Sequence, residues 1–506
     1  MSGAPLATDA GRRILESGGN AVDAAVATAF ALAVVEPSMS GLGGRTQILI
    51  RTGDNDFVGI DGTTEVPAGA PVADPEGEAN AYGYETVGIP GTVAALAAAA
   101  TSYGTKPLSE LILPALELAE GGFPLPAEQA RRFASAADEL SESVGARMYF
   151  LAGGFGAPIA GEQFIQHDLA VVLRAISDEG PDVFYRGWIA ESIAVDMARN
   201  GGLVRQSDLA MYTARSSQIV QGNYHGYDLI GTYLPASGAT TIEALHILEQ
   251  FELAGRAGSS EWLALIGQAL LLSFEDRVAD LGPPEIHAQT IVSKQWAALR
   301  AAAVRDPAIA QAGAVLGPPV PVAETESPYT THLSVADSDG MLVALTQSLG
   351  PTMGSKVATP GLGFLYAATM GYLGELAPGE RPFSSQSPLI VMRGDEPAFV
   401  LGASGARRII SAIVSVLSRV VDQEMSLAEA MAQPRLHPTG GVIAVEMHDA
   451  ISWSASAVDD LRRFGFMPDP RSTVSFFARI HGIAWDAAAG EYIGVADPRW
   501  VGTAAG

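Results

Sequence analysis

The 506-residue chain contains no cysteine. That absence removes disulfides, thiolate metal ligands and thiol nucleophiles together, and it leaves the redox compartment open. Basic residues are scarce: 30 Lys and Arg stand against 56 Asp and Glu, a formal net charge of −26. Such a chain is a poor partner for nucleic acid or an anionic membrane, and the charge fits a protein acting on a small molecule. Long hydrophobic runs are also missing. The longest mainly apolar stretch, 24–35, is too short to cross a bilayer. Residues 1–6 show no basic region leading into an apolar core, so no secretory signal is read there. The expectation is a cytoplasmic protein, unless an export segment precedes residue 1. What remains is a globular composition, 48% hydrophobic, with 56 Gly and 31 Pro implying many tight turns. The length allows one large domain or two to three ordinary ones.

Local patterns predict the elements. Thr8 reads as the N-cap of a helix through Leu15 that stops at Gly18-Gly19. A second helix, 21–34, is small and apolar nearly all round and should be buried. After a turn-rich loop, 37–44, strands are expected at 46–51 and 56–61. From Gly91 to about Phe274 the spacing is mainly helical, with segments at 108–120, 128–140, 168–178, 188–199 and 242–252. A Pro/Ala/Gly-rich stretch, 306–327, reads as an extended linker. Beyond it the chain turns β-rich, with strands at 331–337, 341–347, 389–392 and 398–401 and helices near 408–421 and 427–432. Strand pairs followed by helices in both halves suggest antiparallel sheets covered by helical layers.

The stretch richest in chemistry begins at Tyr329-Thr330-Thr331-His332, where two strands joined by the turn 337–340 place a threonine at a strand head. A hydroxyl needs a base to act as a nucleophile at neutral pH. Cleavage between Tyr329 and Thr330 would free an α-amine, which titrates near neutrality, and put base and nucleophile on one residue. Other candidates read as structure. His332 shares a strand with Thr330, but the amine already supplies a base. Gly41-Leu42-Gly43-Gly44 lacks the Lys-Ser/Thr of a phosphate loop. Gly361-Leu362-Gly363 is a turn, and His437 shows no metal-ligand spacing. No metal and no cofactor are expected.

Several ordered motifs resemble the γ-glutamyltransferase family of N-terminal-nucleophile hydrolases. They are residues 18–27, Val35-Glu36-Pro37, Ser40-Gly41-Leu42-Gly43-Gly44, 88–93, Phe184-Tyr185-Arg186-Gly187, Asp208-Leu209-Ala210, the Thr330 region, 381–388, 402–406 and Asp497-Pro498-Arg499. The resemblance implies an α+β protein, a four-layer αββα sandwich made from both subunits of a self-cleaved precursor, with an additional helical region at about 91–300. It implies a large subunit 1–329, ending in a linker at about 306–329, and a small subunit 330–506 that together form an αβ unit. It further implies Thr330 as nucleophile and Ser348 in place of a second threonine. Gly405 and Ala406 take the place of the glycine pair whose N–H groups form the oxyanion hole. Ser384 and Ser385 match the serine pair that contacts substrate.

The chain departs from that family where a glutamyl group would be held. Thr63 stands in place of the arginine that binds the α-carboxylate. The segment Ala367-Ala368-Thr369-Met370-Gly371-Tyr372 replaces the one carrying the aspartates for the α-ammonium, and Gly350 replaces an asparagine. A threonine cannot reproduce a bidentate arginine–carboxylate contact. Arg45 follows the glycine loop and is a candidate to bind a carboxylate from another direction, and Tyr372 is a candidate to narrow the pocket. The leading expectation is therefore a threonine hydrolase acting through an acyl-enzyme on a non-glutamyl small molecule. That molecule would be a short dicarboxylic amide or a compound with an oxalyl-type side chain cleaved at a C–C bond. The alternatives are a γ-glutamyl hydrolase or transferase with substitute anchors, and a catalytically silent family member.

Overall fold

The computed structural model describes residues 1–71, 81–154, 156–305, 329–370, 376–448 and 450–505. The linker expected at 306–327 and the candidate Tyr372 lie outside the described residues. The chain divides into two compact units, one of Met1–Ser217, Tyr329–Phe383 and Thr503–Gly506, the other of Gln218–Pro328 and Ser384–Gly502. The main strands, in chain order, are β1 (Arg45–Arg51), β2 (Phe57–Gly62), β3 (Arg215–Tyr224), β4 (Tyr227–Tyr233), β5 (Thr330–Ala336), β6 (Leu342–Ser348), β7 (Leu389–Arg393), β8 (Glu396–Ser404), β9 (Arg479–Asp486) and β10 (Glu491–Ala496).

In the first unit, helix α1 (Pro5–Glu16) opens on a proline, whose missing N–H would be unsatisfied there anyway. Thr8 consequently lies inside the helix and does not cap it; its hydroxyl is 2.7 Å from that of Ser2. Helix α2 (Ala21–Val35) starts with a reciprocal Asn20/Asp23 capping box, and every residue along it is buried. Strands β2, β1, β6 and β5 form an antiparallel sheet in that order, and Arg215–Ser217 of β3 pair with β2. Side chains alternate across a strand, so the pairing register assigns each residue a face. Leu333, Val335, Val343, Leu345, Ile48 and Ile50 share one face and join the core built around α2, where Gln347 donates to the Ala29 carbonyl (3.0 Å). The other face carries Thr330, His332, Ser334, Ser348, Thr346, Arg45, Gln47 and Asp61. The sheet is therefore apolar on its helix side and polar on the side that bears the candidate nucleophile.

The helices expected at 108–120, 168–178 and 188–199 occur as Leu108–Gly121, His167–Glu179 and Trp188–Arg199. The one expected at 128–140 is broken into Ala127–Ser135 and Ala137–Glu142, because Ala136 leaves helical geometry (φ −114°, ψ 12°). The region read as mainly helical also holds the β3–β4 hairpin. Its turn is His225-Gly226, both in the left-handed region (φ 48° and 87°). Histidine is an uncommon choice for a turn that normally takes asparagine or aspartate, and this concealed the hairpin.

In the second unit the rest of β3 pairs with β4, followed by β7, β8, β9 and β10, all antiparallel. Leu389, Val391, Leu401 and Ile480 pack into one core with helices Gly238–Leu248, Ser260–Asp276 and Arg408–Asp422. A buried ion network closes the unit: Arg435 bonds Asp497 (2.9 Å), and Arg499 bonds both Glu446 (2.6 Å) and Asp497 (3.0 Å). The fold is mixed α+β. Among the described residues no helix is long and apolar enough to cross a membrane.

Candidate active site

The first unit places Thr330 at the head of β5, directly opposite Ser348, the last residue of β6. The Thr330 hydroxyl donates to Ser348 Oγ (3.0 Å). Ser348 Oγ in turn donates to the carbonyl oxygen of Tyr329 (2.9 Å) and accepts the N–H of Gly350 (2.9 Å). One donated and two accepted bonds saturate a serine hydroxyl, which fixes its orientation. Tyr329 is held from the other side by Arg132, whose guanidinium lies 4.6 Å from the ring centroid. Burial is the main force lowering the pKa of Arg132, countered by Glu128 at 3.1 Å. The arrangement presents a hydroxyl next to a peptide carbonyl that already receives a hydrogen bond.

Arg45 continues the same row. It pairs with Ser348 as Ser348 pairs with Thr330, so the three side chains emerge on one face in adjacent strands. Arg45 is only 6% exposed. The glycines before it serve close packing: a Cβ on Gly44 would lie 2.8 Å from the Ser348 carbonyl oxygen, and one on Gly43 2.3 Å from that of Leu365. The next row runs His332, Thr346, Gln47, Asp61. His332 lies 2.8 Å from Thr346 Oγ1 through Nδ1 and 3.1 Å from Ser334 Oγ through Nε2.

Thr63 is fully buried and accepts from Gln47 Nε2 (2.9 Å), which also donates to Asp61. Its neighbour Thr64 accepts from the hydroxyl of Thr369 (2.8 Å). The two segments that differ from the family's glutamyl anchors thus meet in one place, built from threonine and alanine. The cation near that place is Arg381, which sequence reasoning did not single out. It is bound to Asp61 (2.7 Å) and Glu65 (3.2 Å) and lies over the Tyr212 ring. These partners raise its pKa against the opposing effect of burial.

The second unit holds the remaining candidates. Gly405 and Ala406 link β8 to helix Arg408–Asp422, with φ of 151° and 52°. Among the described residues neither N–H donates to a protein acceptor. Two unengaged donors ahead of a long helix suit an accumulating negative charge. Gly405 is also sterically required, since a Cβ there would lie 2.5 Å from that of Ala478. The Ser384 hydroxyl donates to Gln386 Oε1 (3.1 Å), and its carbonyl accepts from Ser237 (2.7 Å). Ser385 accepts from Arg277 Nη1 (3.3 Å), a contact no sequence signal announced. No group of three or more His, Asp or Glu side chains able to hold a metal occurs among the described residues.

A threonine heading the end strand of the sheet, bonded to a second hydroxyl and adjoining a carbonyl that receives a hydrogen bond, suits an enzyme built around a hydroxyl nucleophile. The sequence pattern of the gamma-glutamyltranspeptidase family matches residues 7–506. The acylase ACY 1 proenzyme of Pseudomonas sp. (strain SE83) is 33% identical over 469 residues, covering 87% of this chain and 82% of the acylase. The glutathione hydrolase proenzyme of Escherichia coli (strain K12) is 34% identical over 464 residues, covering 85% of this chain and 80% of the hydrolase. The crystal structure of cephalosporin acylase from Bacillus halodurans superposes with a TM-score of 0.88 at 26% identity, covering 99% of this chain and 94% of that one. The chain belongs to the gamma-glutamyltranspeptidase family of hydrolases and transferases.

Proposed function

We propose that this chain is a precursor that cleaves itself between Tyr329 and Thr330 and then works as a threonine hydrolase on a non-glutamyl acyl group. The contact of Ser348 with both Thr330 Oγ1 and the Tyr329 carbonyl carries the reading. Thr330 Oγ1 attacks the Tyr329 carbonyl carbon, the C–N bond breaks to leave an ester, and water hydrolyses the ester. Residues 1–329 and 330–506 result, an αβ unit with the four-layer αββα architecture of the family. The freed amine then takes the proton of Thr330 Oγ1 as that oxygen attacks substrate. The backbone N–H groups of Gly405 and Ala406 are the proposed donors to the oxyanion, and Ser384 and Ser385 the proposed substrate contacts. Water releases the acyl group.

The threonine and alanine cluster at Thr63, Thr64 and Thr369 supports a non-glutamyl substrate. A γ-glutamyl group would bring a carboxylate and an ammonium to it without the arginine and aspartates that otherwise pair them. The kinship with an acylase proenzyme points the same way. A short dicarboxylic amide, or an oxalyl-type side chain released by C–C hydrolysis, is the proposed substrate class. The 34% identity to a glutathione hydrolase keeps γ-glutamyl transfer as the second reading. Incubating the cleaved protein with oxamate, succinamate, oxalyl compounds and glutathione, and weighing the 330–506 fragment, separates the two. A γ-glutamyl adduct alone would overturn the first reading.

A further inference from the structure

We infer that Ser385 presents its hydroxyl to substrate as a hydrogen-bond donor, and that Arg277 is the positioning residue that fixes this direction. The inference rests on the proposed threonine hydrolase and deepens it: the acyl group taken must carry an acceptor oxygen beyond the scissile carbonyl. A serine hydroxyl has one hydrogen to give and two lone pairs to receive. Ser385 Oγ accepts from Arg277 Nη1 at 3.3 Å, and among the described residues nothing accepts its own hydrogen. An O–H whose oxygen already receives a cationic donor is polarised and becomes a stronger donor in turn. Ser385 is also partly exposed, so a ligand can reach it. Its neighbour has the opposite disposition. Ser384 is 3% exposed, donates its hydrogen to Gln386 Oε1 (3.1 Å) and accepts the Gln386 N–H (3.2 Å). Ser384 can therefore only accept from a ligand, and the hydrogen to be donated belongs to Ser385.

The fold holds Arg277 in place from behind. It follows Asp276, the last residue of helix Ser260–Asp276, and its N–H closes the final turn on the Ser273 carbonyl (3.1 Å). A cation there is favoured by the partial negative charge of a helix C-terminus. Asp276 is fixed at three points. Its carboxylate receives the Trp296 indole N–H (2.9 Å) and pairs with Arg300 (2.8 Å), and its carbonyl oxygen lies 2.9 Å from His287 Nε2. Glu243 shares the same indole N–H (3.0 Å). Burial first, then Asp276, raise the pKa of Glu243 well above the usual carboxylate range, so it is a neutral acid and brings no second negative charge. The acidic groups behind Arg277 are thus engaged with Trp296 and Arg300, while the guanidinium reaches forward to Ser385. Arg277 is only 8% exposed, so packing and not solvent sets its direction.

The test is a double-mutant cycle read on succinamate, oxamate and glutathione, each of which carries carboxylate oxygens beyond the scissile carbonyl. Butanamide, which lacks them, is the comparison. Wild-type enzyme should favour the carboxylate-bearing compounds in kcat/KM. Ser385→Ala and Arg277→Ala should each raise KM for them by about 5- to 20-fold, with a smaller change in kcat, and narrow their advantage over butanamide. The double variant should be no worse than Ser385→Ala, because Arg277 acts through that hydroxyl. Arg277→Lys should restore part of the loss, and it replaces Arg277→Ala in the cycle if the alanine variant does not fold. Losses that multiply in the double variant, or an unchanged KM in Ser385→Ala, would overturn the inference. An acyl adduct still forming on the 330–506 fragment would then spare the hydrolase. An adduct with butanamide and with none of the others would sink the inference alone. If no adduct forms with any of the four, the hydrolase reading falls and the inference falls with it.

Discussion

Ser348 Oγ lies 2.9 Å from the carbonyl oxygen of Tyr329 and 3.0 Å from the hydroxyl of Thr330, bridging a nucleophile and the bond it would break. Ser348→Ala removes the hydrogen bond to the carbonyl and the acceptor that orients Thr330. Cleavage of the precursor should slow by about 10- to 100-fold, the effect of losing one well-placed polar contact. Ser348→Thr should cleave normally. Band intensities over time on a denaturing gel give the rates, and an unaffected Ser348→Ala would remove Ser348 from the chemistry.

Thr330→Ala should give one full-length band and no turnover of any acyl substrate. Thr330→Ser keeps a hydroxyl and should still cleave, more slowly. Intact mass of purified protein reads both results.

Arg132 clamps the Tyr329 ring at 4.6 Å. Arg132→Ala should slow self-cleavage about threefold to tenfold, since a desolvated cation–π contact contributes about 2 kcal/mol, only part of which is felt at the reacting carbonyl. The effect should be mostly on the cleavage step, so protein that has completed cleavage should turn over substrate at close to the normal rate.

The ion network of the second unit predicts a stability effect. Glu446→Ala leaves Arg499 buried beside Arg435 with Asp497 as their shared carboxylate, at a cost of about 3–5 kcal/mol. Chemical denaturation should show a lowered midpoint for unfolding of the second unit, followed through Trp453, whose indole N–H donates to the Arg435 carbonyl.

Acid should weaken the same unit. Burial lowers the pKa of both His246 and His481 to about 4, from an ordinary value near 6.5. Each must be neutral in the folded state, so the unfolded chain binds more protons between these limits. The stability is fully present above about pH 6.5 and is lost as pH falls toward about 4. Thermal melts at pH 7.5, 6 and 5 should descend in that order, and a flat profile would contradict the burial of these imidazoles.

The candidate residues are hydroxyls and backbone positions at strand ends, which is why sequence alone could nominate them. Thr330, Ser348, Gly405 and Ala406 could each be picked out by motif, and Asn20 with Asp23 announces its helix through a local capping pattern. Arg381, Arg277 and Arg132 could not. Their roles depend on partners distant in the chain, such as Asp61, Ser385 and Tyr329, and no local spacing encodes such a pairing. The same holds for β3, whose burial varies irregularly along its length and gives no clean period of two.

The adjoining threonines at 330 and 331 are chemically alike, and only the pleat tells them apart. Thr331 points with Gln347 toward the α2 side, where its buried hydroxyl makes no hydrogen bond among the described residues. Were the proposed scissile bond one residue later, the new terminus would present its oxygen to the buried helix side of the sheet, away from Ser348. Under the proposed cleavage, the alternation of a β-strand would decide which of two identical side chains becomes the reactive end, and a cut displaced by one residue would present the wrong face.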